Sequence, residues 1–334
     1  MRARFLVELD RLDEATEALR RWEADPRVIR PPALESMYWH ERASLARELL
    51  RLDDAVAFER TALRSCGGDK EHGQRANLAR ALMSVGAFIE AERLIRASLE
   101  VSGRTMNRVF YANQLAILSD VLLGRGKLAE AEQSCLQSLA ARREIGVAGF
   151  IARSLLRHGW LLELQGRAGE AAAAYREALE IRRELKDWQE EFPATAISVA
   201  LATGDFAAAA ATLSRCEVRT PASDRDRLLL GGLRLAHGDP AGAIGPFRHV
   251  VGQARRALAA CDRNTHAGRR LVVALCGLVA AGEAHDVSPE IDRFRSNIDS
   301  LGPMMELRHQ LRVLHRCDRT GRSAPMLEHC NMLI

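Results

Sequence analysis

Three stretches of the chain align without a gap: residues 77–91 (NLARALMSVGAFIEA), 117–131 (ILSDVLLGRGKLAEA) and 157–171 (RHGWLLELQGRAGEA). Each holds a glycine at the same place, Gly86, Gly126 and Gly166, 40 residues apart, and an alanine five positions later, Ala91, Ala131 and Ala171. Gly204 with Ala209 and Gly238 with Ala243 continue the series at spacings of 38 and 34. Upstream, Asp53-Asp54-Ala55 and Asp13-Glu14-Ala15 look like two more copies that lack the glycine. A period of this length, kept in phase, marks a repeat architecture and not a set of unrelated helix hairpins.

Within each unit, apolar residues recur at helical spacing on both sides of the glycine: Leu115, Leu118 and Leu122 before it, then Leu128, Ala131, Cys135 and Leu139 after it. The glycine falls where the first helix stops, and a left-handed cap suits glycine best. The small residue five positions on lets the partner helix approach closely. One such pair cannot bury both its faces, whereas stacked pairs can, so the pattern predicts an all-α solenoid.

Composition agrees. The 334 residues are 47% hydrophobic and 28% charged, enough for a core and unlike a disordered, collagenous or disulfide-dense chain. Net charge is +4, too mild to argue for a nucleic-acid partner. The surplus lies at residues 219–334, with 17 Arg against 12 Asp and Glu, and reads as a solvated surface. The start of the chain does not read as a signal peptide. The longest apolar run, residues 271–281 (LVVALCGLVAA), falls short of the roughly 18 residues a membrane span needs. Seven cysteines include no Cys-x-x-Cys pair, which points to a reducing cytoplasm rather than a disulfide framework. No phosphate-binding loop, dinucleotide fingerprint, nucleophile elbow or zinc-protease motif occurs, so the sequence predicts no enzyme and calls for no cofactor. The paired carboxylates Glu190-Glu191 and Asp13-Glu14 fall at loop or turn positions of the repeat frame.

The pattern resembles the tetratricopeptide repeat. In the clearest unit Leu155, Gly159, Leu162, Gly166, Ala171, Tyr175, Ala178 and Leu179 stand at that family's signature positions. His158 and Arg183 depart from it, where an apolar residue and the helix-stopping proline are usual. The resemblance covers residues 1–285 and implies a right-handed superhelical solenoid of antiparallel helix pairs, about 34–40 residues per repeat. The second helices run long, through residues 140–146 and 180–187. In this the chain looks like the repeat arm of large ATP-binding bacterial regulators of the MalT/LuxR type, related to the maltose regulator, whose arm binds inducers or partner proteins. Neither the nucleotide switch nor the DNA-reading domain of that family is recognisable here.

The chain opens inside a repeat, and three segments are expected: a solenoid at 1–285 with an incomplete first unit, capping helices at 286–320, and a linker with a short apolar tail at 321–334. Gly242, Gly245 and Pro246 are expected to weaken or kink the helix that holds them. The tetratricopeptide resemblance places first helices on the concave face. The family's groove-facing positions and their edge fall on His40, Asn77, Arg80, Tyr111, Asn113, Asp120, Arg153, Trp160 and Glu163. Arginine with aromatics is the mix that binding hot spots favour, and the arginines suit a carboxylate or phosphate. The plain alternative is a solvated face with internal ion pairs such as Arg153 with Glu163 or Asp120.

Function is expected to be a non-catalytic scaffold for a protein or peptide partner, in bacterial regulation or complex assembly. A small-molecule-sensing arm is the first alternative. The second is a metal-dependent accessory built on His309, His315, Cys317, His329 and Cys330, although their spacing matches no standard metal site. The N-terminal half-repeat and the tail at 326–334 are candidates for self-association.

Overall fold

The structure is a computed structural model, and it describes residues 11–24, 31–103, 107–185 and 224–334, with the single positions Leu6 and Asp205. Expectations at Gly204, Ala209, Glu190 and Glu191 lie outside the described residues. Fifteen α-helices and no strand occur among the described residues.

Helix α1 (Leu12–Ala24) is followed by four complete pairs among the described residues. These are α2 (Pro32–Glu48) with α3 (Leu52–Ser65), α4 (Glu71–Ser84) with α5 (Phe88–Ser102), α6 (Arg108–Gly124) with α7 (Leu128–Ile145), and α8 (Ala148–Leu164) with α9 (Ala168–Leu185). A later pair, α10 (Asp224–Ala236) and α11 (Pro240–Ala260), leads to α12 (Thr265–Ala280), α13 (Ser288–Ser296), α14 (Gly302–Cys317) and α15 (Ala324–Met332). Each complete pair packs its second helix on its first, and α3, α5, α7 and α11 also pack on the helix that follows them, which is what makes the stack a solenoid.

The turn chemistry follows the sequence. Gly86, Gly126, Gly166 and Gly238 have φ between 77° and 79°, the left-handed region. Each lets a second helix turn back, as where Ala87 N donates to Leu82 O at 3.0 Å. The small residues Ala91, Ala131, Ala171 and Ala243 are all fully buried against the partner helix. In the turn before Asp53, which lacks a glycine, Leu50 takes the left-handed conformation with φ 59°.

Among the described residues, two large apolar cores form beside smaller clusters. One runs through α3 to α8, with Leu82, Ile95, Leu122 and Leu161 fully buried. Side chains of this size contribute about 2 kcal/mol each when removed from water. The other joins α10 to α15 through Phe247, Ile291, Met304, Leu307 and Leu311. The stretch that reads as linker and tail holds α15, whose Met326 and Cys330 are buried in that core. The helix expected to be weakened or kinked at Gly242, Gly245 and Pro246 is continuous: α11 runs through all three. The reason is that Arg234 Nη1 donates to Gly242 O at 2.6 Å, the carbonyl that Pro246 leaves without its i+4 donor. No helix among the described residues is long and apolar enough to cross a membrane.

Candidate binding groove

The first helices α2, α4, α6 and α8 form one wall, and the repeat puts His40, Arg80, Asp120 and Trp160 at the same position of four successive units, 40 residues apart. His40 Nδ1 lies 2.8 Å from Oε1 of the buried Glu59. Asn77, one helix on, donates to Gln74 Oε1 at 3.1 Å and stands beside His40.

Arg80 reaches solvent and has no hydrogen-bond or ion-pair partner among the described residues. The surrounding protein, and then the neighbouring Arg47 guanidinium, lower its pKa. Asp120 is held by Arg157 of α8 through two contacts, Nη2 to Oδ2 at 2.6 Å and Nε to Oδ1 at 2.5 Å. Burial raises the Asp120 pKa against the pull of Arg157. The partner of Asp120 is thus Arg157 and not Arg153. Arg153 is exposed, and no ion pair to it occurs among the described residues.

Asn113 has an internal task. Its Oδ1 accepts from Nη2 of the buried Arg142 at 3.0 Å, while Arg142 Nη1 donates to Ser154 Oγ at 2.8 Å and Phe150 O at 3.1 Å. This bracket ties α6, α7 and α8 together. Tyr111 is half-buried with its ring edge beside Gly103.

Trp160 and Glu163 are covered by the chain itself. His309 of α14 packs edge-on against the Trp160 ring, with centroids 5.2 Å apart and planes at 87°. Its Nε2 donates to Glu163 Oε2 at 3.2 Å. The N-terminal end of α14 reaches the next turn along: Arg125 Nη1 donates to Ser300 Oγ at 3.1 Å, and Met305 lies against Gly126. The candidate residues therefore fall into two groups. Arg80, Tyr111 and Arg153 stay open, whereas Asp120, Trp160 and Glu163 face α14 or the charge of its Glu306.

Sequence reasoning misses Arg157 as a wall residue, and Glu306 and His309 of α14 as the groups that face the wall. Arg157 occupies the aligned position of Asn77 and Ile117, so the register points to it although the residue type does not repeat. In the sequence His309 falls among neighbours that make it a metal candidate. The structure sends those side chains apart: His309 to Glu163, His315 Nδ1 to within 3.1 Å of Ser323 Oγ, and His329 to Asp292, with Cys317 and Cys330 buried in the core.

Comparison with known proteins places this architecture. Tetratricopeptide-repeat family profiles match residues 74–109 and 111–184, so this part of the chain carries tetratricopeptide repeats. Among solved structures, a Rap protein complexed with competence and sporulation factor is similar at 12% identity, with TM-score 0.57 over 100% of this chain and 82% of that one. The apo form of RapI is similar at 13% identity, with TM-score 0.58 over 81% of this chain and 96% of that one. A tetratricopeptide repeat protein from Parabacteroides merdae is similar at 17% identity, with TM-score 0.53 over 82% and 96%. At these identities the likeness shows the fold, an all-helical solenoid of the tetratricopeptide-repeat kind. No curated protein sequence matches the chain.

Proposed function

We propose that the chain is a non-catalytic repeat scaffold that holds a protein or peptide segment along its concave wall, in bacterial regulation or complex assembly. The observation that carries this reading is a charge imbalance. Asp120 and Glu163 on this wall are engaged by Arg157 and His309, and the buried Glu59 of α3 behind it by His40, while Arg80 and Arg153 make no hydrogen bond or ion pair among the described residues and Arg80 feels Asp120 and Glu59 only at a distance. Guanidinium groups placed this way suit the carboxylates of a peptide, and Tyr111 offers a flat surface beside them. Two fold neighbours support a peptide as the occupant: one was solved with competence and sporulation factor, and another, a Rap conjugation gene regulator, with the Phr* peptide. The likeness to regulator arms adds a place for it, a sensing module whose output lies on another domain or chain.

The test is affinity capture by the full chain from lysate of the source cell, compared with a variant carrying Arg80→Ala and Arg153→Ala. A specific partner identified by mass spectrometry should be lost from the variant while its circular dichroism is unchanged. An identical capture profile would sink the reading.

A further inference from the structure

The C-terminal helices meet the repeats along a seam whose chemistry differs from either core. The two apolar clusters do not merge: one is built from α10 to α15, and the other from α3 to α8 with Cys261. Between them run polar contacts. Both oxygens of Asp299 accept from the first amides of α5, Phe88 N at 3.1 Å and Ile89 N at 3.0 Å, capping a helix 210 residues away in the chain. Asp299 N donates to Gly86 O at 3.3 Å, Arg125 donates to Ser300, and Arg263 pairs with Asp53. Water can replace contacts of this kind, as it cannot replace an apolar core.

The seat is nonetheless closely fitted. A Cβ on Gly302 would overlap the carbonyl oxygens of Leu123 and Gly124, and one on Gly86 would lie 2.9 Å from Asn297 O. Seven residues after Gly302, two helical turns on, His309 delivers its N–H to Glu163 and its ring to Trp160. These are the aromatic and the acid of the concave wall.

We propose that α14 is a resident occupant of the groove: it fills the end that a partner helix would use, and a partner reaches Trp160 and Glu163 only after α14 lets go. This rests on the scaffold reading above and deepens it by naming the partner's chemistry. The partner is an α-helix preceded by an acidic residue that caps α5, with a glycine in its first turn and a hydrogen-bond donor seven residues later. That is the pattern of Asp299, Gly302 and His309.

The probe is a fluorescein-labelled synthetic peptide of residues 297–317, titrated into the full chain and followed by anisotropy. Two variants loosen opposite ends of the seam: Asp299→Ala removes the cap, and His309→Glu sets a carboxylate against Glu163 without touching either core. Wild type should bind the peptide at least 10-fold more weakly than either variant, because its own α14 holds the seat. Adding Trp160→Ala to a loosened variant, or His309→Ala to the peptide, should abolish the gain. If both variants keep wild-type circular dichroism and melt cooperatively yet take up the peptide no better than wild type, the proposal is overturned. The capture experiment with Arg80 and Arg153 fails or succeeds separately: loss of capture there with no gain here removes this inference alone.

Discussion

Arg234 supplies the hydrogen bond that Pro246 cannot. Its Nη1 sits 2.6 Å from Gly242 O, the carbonyl four residues before the proline, inside α11. This explains why a helix with a proline in its interior runs through unbroken. It also makes the two residues energetically dependent on one another. Arg234→Ala should cost about 0.5–1.5 kcal/mol, the range for the net contribution of a half-buried hydrogen bond. With Pro246→Ala in the background, the new backbone amide at that position regains the bond, and the same arginine substitution should cost much less. Urea denaturation of the four proteins of this cycle measures the coupling, and additive effects would refute it.

Leu50 occupies the turn position that glycine holds elsewhere. Leu50 N donates to Arg47 O and Arg51 N to Ala46 O, the same pair of bonds that Gly86 and Ala87 make to Met83 and Leu82. A side chain with φ 59° costs about 1–2 kcal/mol. Glycine loses about 0.5–1 kcal/mol more on folding, and Leu50 is 39% exposed, so its removal also forfeits some burial. The gain from relieved backbone strain and these two losses nearly cancel, so Leu50→Gly should change stability by no more than about 1 kcal/mol. A loss above about 2 kcal/mol by urea denaturation would contradict this.

The same turn marks what was legible in the sequence. Glycine at a fixed interval announces the turns, and the alanine five positions later announces the close helix approach, because both are short-range requirements that recur with each unit. Leu50 breaks the signal without breaking the turn. The capping aspartates show the opposite limit. Asp239 caps its own helix through Gly242 N, as local sequence suggests, but Asp299 caps α5 from the far end of the chain. No periodicity links two residues brought together by the return of α14 across the wall. For that reason Trp160 and Glu163 can be placed on the wall from the repeat register, while their cover by His309 cannot. Pro246 reads as a weak point in the sequence, and the donor that reaches the carbonyl it leaves open comes from α10.

Most of the described cysteines are packing groups, and their chemistry should reflect it. Burial pushes the thiols of Cys135, Cys317 and Cys330 up to about 11 and raises Cys276 further. Cys66 is the one described cysteine that is not buried. Because the thiolate is the reacting species, a disulfide reagent at pH 8 should label Cys66 in the native protein. Cys135, Cys276, Cys317 and Cys330 should be labelled only after denaturation. Peptide mapping by mass spectrometry reads this directly, and native labelling of Cys276 would contradict the packing.

Glu92 and Glu132 stand 40 residues apart and tie each unit to the next by the same contacts. Glu92 accepts from Arg125, at 3.0 Å, and from Lys127, at 2.8 Å, while Glu132 accepts from Gln165 and Arg167, both at 2.9 Å. Burial pulls each carboxyl upward in pKa, but the bonds outweigh it. Lys127, Arg96 and Arg125 leave Glu92 below the usual carboxylate range, and Gln165, His158 and Arg167 do the same for Glu132. A carboxyl whose pKa is depressed on folding adds stability that is present above the unfolded value, about 4.3, and is lost as pH falls through the folded one. Urea midpoints should therefore drop between pH 6 and pH 3. Glu92→Gln and Glu132→Gln should each cost about 1–3 kcal/mol at pH 7, since the amide keeps the shape and loses the charge. In the double variant the drop between pH 6 and pH 3 should shrink, because the groups that produced part of it no longer titrate. An undiminished drop in a double variant that is already destabilised at pH 7 would mean that other carboxylates carry the acid sensitivity, and that these inter-unit ties are held by hydrogen bonding alone.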